Sequence, residues 1–297
     1  MRVFVTGAAG FIGTETTKEL IANGHHVVGL ARSEDNVRTL EKLGAEVHRG
    51  SLQDIESLKK GARASDGVIH LAFIHDFSKF AESGAIDKAA IEAMGDVLAG
   101  TNKPFIVTSG TGLVAPGVVI TEDMRRDSSP HVPRASEQAG LAFASRGVRA
   151  MTIRLPQVHG AAGRAGLISY LVEFARQKGA AAYVGEGAQR WAAAHREDVA
   201  RLYRLVLEKG AADGIYHAVG EEGVPMRQVI EVIGRALNVP VVSIKKEEAG
   251  DYYGPLATFA GLDMPASSAL TQQQLGWTPI GIGLIADIGQ QGYFSQR

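Results

Sequence analysis

Thr6-Gly7-Ala8-Ala9-Gly10-Phe11-Ile12-Gly13 stands directly behind the first apolar run of the chain, 2–6, and at the head of a stretch able to form a helix. Three glycines at this spacing between a strand and a helix have separate jobs. Gly7 permits the tight turn. Gly10 lets the backbone come close to a diphosphate resting on the N–H groups of the helix start, and Gly13 lets that helix lie close on the sheet. The turn predicts a dinucleotide-binding α/β fold, with Gly7, Ala9, Gly10, Phe11, Ile12 and Gly13 as cofactor contacts.

Outward from the turn the alternation continues. Apolar runs at 2–6, 26–31, 45–48, 67–72, 103–108 and 148–155 are rich in Val, Ile and Phe and read as strands. Their near-continuous apolarity marks strands buried on both faces, as in a parallel sheet. Between them lie helical patterns. Ser33 suits an N-cap, Val37, Leu40 and Leu43 follow at spacings of three, and Gly44 stops the run. Ile86, Ala89, Ala90, Met94 and Leu98 form another stripe. These units specify a doubly wound parallel sheet, a Rossmann fold, with right-handed crossovers. The second half is less regular: helices ending near Gly179 and Gly210, a strand over 215–219, a helix from Met226 to Leu237, a strand over 241–244, and a tail from 250 with short helices only. The reading divides the chain into a dinucleotide-binding domain over 1–160, with segments of about 185–220 packing back onto it, and a smaller α/β substrate-binding region over 161–297.

The 297 residues need no staple to bury a core, and there is no cysteine, which excludes disulfides and thiolate chemistry. Lys plus Arg is 31 and Asp plus Glu is 32, a net charge of −1. That gives no basic surplus for nucleic acid and no net field for an anionic membrane surface. Met1 to Val5 runs straight into the glycine turn without a signal-peptide h-region, and the uncharged stretch from Met264 to Ala286 is broken by Pro265, three glutamines and Pro279. The expectation is a cytoplasmic protein that is a monomer or homodimer.

The spacing of the turn, TGxxGxxG, resembles the short-chain dehydrogenase/reductase superfamily in its extended and atypical branches, the epimerase/dehydratase type. The resemblance extends along most of the chain. Asp66-Gly67-Val68-Ile69-His70-Leu71-Ala72 is similar to the family's fourth strand, and Lys103-Pro104-Phe105-Ile106-Val107-Thr108-Ser109 to its fifth. Arg154-Leu155-Pro156-Gln157-Val158-His159-Gly160 is similar to the segment flanking the nicotinamide. The resemblance thus implies cofactor contacts at Leu71, Ala72, Phe73, Thr108, Pro156 and Val158. His195-Arg196-Glu197-Asp198-Val199-Ala200 and Leu275-Gly276-Trp277-Thr278-Pro279 are similar to later landmarks, read here as structural.

NAD-binding members carry a carboxylate at the end of the second strand, where it accepts hydrogen bonds from ribose hydroxyls. That place falls at Ala31, followed by Arg32 and Ser33. A guanidinium and a hydroxyl suit a 2′-phosphate, so NADP is the expected cofactor. Gly50-Ser51-Leu52 stands where the family has Gly-Asp-Leu. Ser51 and Leu52 are read as adenine-side contacts, with helix capping the alternative for Ser51.

The family pattern breaks at its acid–base pair, a tyrosine four residues before a lysine. By register the pair falls at Pro133 and Glu137, and none of the seven tyrosines has a lysine four residues later. The place of the family's serine falls at Gly110, flanked by Ser109 and Thr111 as candidate carbonyl polarisers. His75, in the loop after the fourth strand, is the candidate proton donor, with an imidazole suited to transfer near neutral pH; His159 is a weaker one. Tyr252, Tyr253 and Trp191 are open between pocket wall and core. No metal-ligand spacing, GxSxG or P-loop occurs. The expected activity is hydride transfer between NADPH and a small carbonyl or alcohol substrate. The alternatives are a non-catalytic NADP-binding sensor and a sugar-nucleotide epimerase or dehydratase.

Overall fold

The computed structural model describes residues 1–115, 117–125, 134–160 and 166–294. Its main sheet is built from β1 (Arg2–Thr6), β2 (His26–Ala31), β3 (Glu46–Arg49), β4 (Gly67–His70), β5 (Pro104–Gly110) and β6 (Arg149–Leu155). The chain then forms β7 (Gln157–His159), β8 (Ala181–Val184), β9 (Arg190–His195), β10 (Gly214–His217), β11 (Glu221–Pro225) and β12 (Val241–Ile244). The helices that matter to the site are α1 (Phe11–Ala22), α2 (Glu34–Leu43), α3 (Ile55–Arg63), α4 (Phe80–Leu98), α5 (Ser136–Leu141), α6 (Leu167–Lys178), α7 (Arg196–Lys209) and α8 (Met226–Leu237).

The sheet runs β3-β2-β1-β4-β5-β6-β10, every pairing parallel. Strand order reverses between β1 and β4, which opens a crevice at their carboxyl ends. The pleat sorts the cores. Val3 and Val5 face one layer with Leu20 of α1, Leu40 of α2 and Leu202 of α7. Phe4, pointing the other way, packs with Leu58 of α3 and Ile91 of α4. A separate core joins α6, α8, β8 and β9 through Leu171, Ile230, Ala181 and Trp191. Alongside it lie a sheet ordered β11-β9-β7 and a β12-β8 pair.

Three expected boundaries move, the first for a visible reason. The strand read as 67–72 stops at His70, because its neighbour β1 ends opposite it at Thr6 and turns away into Gly7. Leu71 and Ala72 therefore belong to the loop, although the Leu71 N–H still donates to Thr6 O at 3.2 Å. The strand read as 215–219 stops at His217, while the fifth strand runs on to Gly110. The two late landmarks meet: the Asp198 carboxylate accepts the N–H groups of Ile280 (3.0 Å) and Gly281 (2.8 Å), and Trp277 Nε1 donates to Asp198 O (3.0 Å). Among the described residues no helix is long and apolar enough to cross a membrane, and no group of three metal-ligating side chains assembles.

Candidate functional site

The glycine turn is closed by backbone contacts. Gly7 has φ +72°, and a Cβ there would lie 2.8 Å from Ala72 N. The Gly10 N–H donates to Gly7 O at 2.9 Å. A Cβ on Gly13 would fall 1.9 Å from that same oxygen, so α1 sits on the turn as only glycine allows. Gly10, the N-cap of α1, differs: its backbone is extended, and a Cβ would touch only Gly7 O, at 3.1 Å. Its outer side is open, and the first turn of α1 carries no acid. Exposed N–H groups, a positive helix end and an uncrowded glycine fit a diphosphate. Ala9, Phe11 and Ile12 are half-buried around it, and the Arg196 guanidinium lies 5.4 Å from the Phe11 ring centre.

At the end of β2, Ala31 is buried while Arg32 and Ser33 are exposed. Arg32 makes no ion pair or hydrogen bond among the described residues, whereas Arg49, ending β3, is held by Glu34 at 2.5 Å. Ser33 caps α2, its Oγ accepting from Asn36 N at 3.3 Å. Ser51 does not cap the next helix. Its Oγ accepts from Gln53 N, and the cap of α3 is Asp54, which accepts from Ser57 N at 3.0 Å. Leu52 packs half-buried against the α3 and α4 core.

Across the ends of β1, β4 and β5 runs a buried polar network that the sequence did not announce. Ala72 N–H donates to Thr6 Oγ1 (3.2 Å), and Thr6 Oγ1 meets His70 Nδ1 (2.8 Å). His70 Nε2 meets Asp87 Oδ1 (3.1 Å), and Ser136 Oγ donates to Asp87 Oδ2 (2.5 Å). Using each donor once assigns Thr6 as donor to Nδ1 and the His70 proton to Nε2. Arg134 Nε then donates to Ser136 Oγ and Arg134 Nη2 to Thr108 O, both at 2.9 Å. Thr108 Oγ1 donates to His70 O (2.7 Å) and accepts from Tyr203, whose phenol burial pushes upward. Burial works to raise the Asp87 carboxyl. The His70 hydrogen bond and the nearby Arg134 charge outweigh it and hold that carboxyl below its usual range.

Arg134 links the two candidate loops. It bonds the carbonyl of the residue before Ser109, and its guanidinium lies 4.0 Å from the ring centre of Phe73, two residues before His75. His75 packs edge-on against Phe73, at 5.2 Å between ring centres, with exposed surface on the loop. Crowding by the loop, then the positive Arg134, push its pKa below the ordinary imidazole value. At neutral pH it is therefore suited to take a proton from an alcohol more than to supply one. Ser109 is buried at the sheet edge, its hydroxyl without a hydrogen bond among the described residues; Thr111 Oγ1 reaches back to Leu155 O at 3.4 Å.

The place of the family's tyrosine, Pro133, lies outside the described residues. Glu137, at the place of the lysine, turns inward. It forms a two-pronged ion pair with Arg154 of β6, at 2.6 and 2.7 Å, both side chains buried. Pro156 is half-buried and Val158 lies in the core. His159 is buried, with Nδ1 on Asp287 at 3.0 Å and Nε2 without a partner among the described residues. The Tyr252 and Tyr253 hydroxyls bond the carbonyls of Ala180 and Ala182 and their rings pack on Phe174, Tyr252 half-buried and Tyr253 buried, while Trp191 is core. A cleft of about 440 Å³ between Gly160, His195, Arg196, Gly281 and Asp287 is lined by none of the three catalytic candidates.

The model of the NAD dependent epimerase/dehydratase family matches residues 3–219. An uncharacterized protein from Schizosaccharomyces pombe is 46% identical over 296 residues, covering 99% of this chain and 100% of its own length. The decarboxylating sterol-4-alpha-carboxylate 3-dehydrogenase of Dictyostelium discoideum is 29% identical over 243 residues, 76% of this chain and 73% of its own. The crystal structure of UDP-glucose 4-epimerase from Thermotoga maritima, with UDP-glucose, superposes with a TM-score of 0.76 at 20% identity. It covers 99% of this chain and 98% of its own, a likeness of fold.

Proposed function

Because the chain belongs to the NAD-dependent epimerase/dehydratase family, we propose that it is an oxidoreductase that binds NADP(H) and interconverts a small carbonyl compound and its alcohol. The observation that carries this reading is the closed turn at Gly7 and Gly13 with an open Gly10 at the head of α1. When bound, the nicotinamide supplies or accepts hydride. The chain's own part is to hold the diphosphate on the N–H groups of Phe11 and Ile12, the Gly10 N–H being spent on Gly7 O. Arg32 and Ser33 take the 2′-phosphate, a choice supported by the uncommitted Arg32 and the absence of an acid at Ala31. The Ser109 hydroxyl orients the substrate oxygen, and His75 exchanges the proton there, as neutral imidazole taking it from an alcohol and as imidazolium giving it to the oxygen of a carbonyl being reduced. In this reading residues 1–160 bind cofactor, the stretch of about 185–220 returns to that domain, and the remainder of 161–297 covers the substrate.

A sensor without turnover is the second reading, favoured by the burial of Glu137 against Arg154, which leaves no lysine-like charge at that place. One experiment decides between them. NADPH and NADH are titrated calorimetrically into the wild type and Arg32→Ala, and NADPH consumption is followed against aldehydes, ketones and oxo acids. The enzyme reading expects NADPH to bind about tenfold or more tightly than NADH, Arg32→Ala to erase that preference, and at least one carbonyl to be reduced. Binding without turnover supports the sensor. No heat with either dinucleotide overturns both.

A further inference from the structure

Beside Arg32 and Ser33 stands an exposed ion pair, Arg49 with Glu34. The parallel register sets Arg49, the last residue of β3, opposite Ala31, the last residue of β2, and the Gly50 N–H donates to Ala31 O at 3.0 Å. Arg49 is thus anchored next to the place where a ribose-binding acid is missing. Its guanidinium reaches across to Glu34, the first residue of α2, with Nη1 donating to Oε1 at 2.5 Å and Nη2 to Oε2 at 3.2 Å. This two-pronged grip holds the Glu34 carboxyl below its usual range, so it is ionised at neutral pH. Neighbouring acids have partners of their own: Asp35 pairs with Arg38, and Asp54 caps α3. Arg32, Arg38 and Arg49 outnumber Glu34 and Asp35, which leaves positive charge over. An exposed pair of this kind adds little to stability and is easily exchanged. The planar fork that grips a carboxylate also grips a phosphate, which brings about twice the charge and three acceptor oxygens.

We infer that Arg49 is a ligand of the cofactor's 2′-phosphate, and that Glu34 is its built-in competitor, occupying the guanidinium until the phosphate displaces it. The inference rests on the function proposed above and names how that site chooses its cofactor. A dinucleotide without the extra phosphate leaves the pair closed, so the exchange acts on NADP(H) alone. A Glu34 that served only the dipole of α2 would repel a phosphate whether or not Arg49 were present. A Glu34 that blocks Arg49 matters only while Arg49 is there.

The test uses the full chain and two probes, adenosine 2′,5′-bisphosphate and 5′-AMP, which differ by the 2′-phosphate alone. Both are titrated calorimetrically into the wild type, Arg49→Gln, Glu34→Gln and the double variant. The wild type should prefer the bisphosphate. Arg49→Gln should lower bisphosphate affinity about tenfold or more, and Glu34→Gln should raise it about threefold, with 5′-AMP affinity unchanged in both. In the double variant the Glu34→Gln gain should vanish. Both side chains are exposed, so thermal midpoints should stay near wild type. Bisphosphate affinity that survives Arg49→Gln, or a Glu34→Gln gain that is absent or equal with and without Arg49, would overturn the inference and leave the proposed function standing. A wild type that binds both probes alike overturns the inference and the choice of NADP together. If neither probe gives heat, NADPH and NADH replace them on the same four proteins, with the same expected pattern; no heat there either would overturn the inference along with the proposed function.

Discussion

Gly10 and Gly13 differ by three positions and, on the geometry of the turn, should fail in different ways when each becomes alanine. At Gly10 the new Cβ meets only Gly7 O, at 3.1 Å, and the extended backbone there suits any residue. The fold has to give by a few tenths of an ångström at one contact and loses a modest N-cap preference, together about 1 kcal/mol or less. For a chain of this size that lowers the thermal midpoint by about 2 °C. The same methyl group projects from the open side, where a diphosphate would approach. Lengthening two charge-assisted hydrogen bonds there forfeits about 2 kcal/mol, or about thirtyfold in dinucleotide affinity. At Gly13 the Cβ would lie 1.9 Å from a backbone oxygen, and backbone cannot swing aside as a side chain can. Gly13→Ala should therefore cost about 3 kcal/mol or more of stability as well as affinity. The assay pairs calorimetric titration of NADPH with thermal unfolding of both variants. Gly10→Ala binding NADPH as tightly as the wild type would refute the placement of the diphosphate, whatever Gly13→Ala does.

Two further outcomes follow from the buried charges. The Asp87 carboxyl titrates below its unfolded value, so it adds stability at neutral pH that is lost as pH falls below about 4. Asp87→Asn should cost about 1–3 kcal/mol in urea unfolding at pH 7, with the gap to wild type narrowing at pH 3; a gap independent of pH would contradict the assignment of Asp87 as a carboxylate. Glu137→Lys, which writes the family's lysine back into its register, should set a second cation against the buried Arg154 and destabilise by about 3–5 kcal/mol or prevent folding. A variant that folds with an unchanged midpoint would show that the pair is dispensable.

What the sequence disclosed and what it withheld separate along chain distance and strand chemistry. The glycine turn was legible because strand, turn and helix start lie within a dozen residues, and each glycine answers to a local steric demand. Five of the first six strands were legible because apolar residues recur in them; β3, Glu-Val-His-Arg, has only Val47. β8 and β9 were not, since Ala181-Ala182 and Ala192-Ala193-Ala194 have little intrinsic preference for strand and take that form from their packing against α6 and α8. The network from Thr6 to Arg134 was hidden for another reason: its contacts span 64, 17 and 49 residues, and each member alone is an ordinary polar residue. Glu137 shows how a correct local observation can mislead. It stands in the register of the family's lysine, but the side chain turns to Arg154 on β6, and its charge is cancelled inside the protein. Arg134, three residues earlier, bonds Ser136 and the Thr108 carbonyl and stacks on Phe73, between the loops after β4 and β5. A register argument compares positions one at a time and does not show which way a side chain turns.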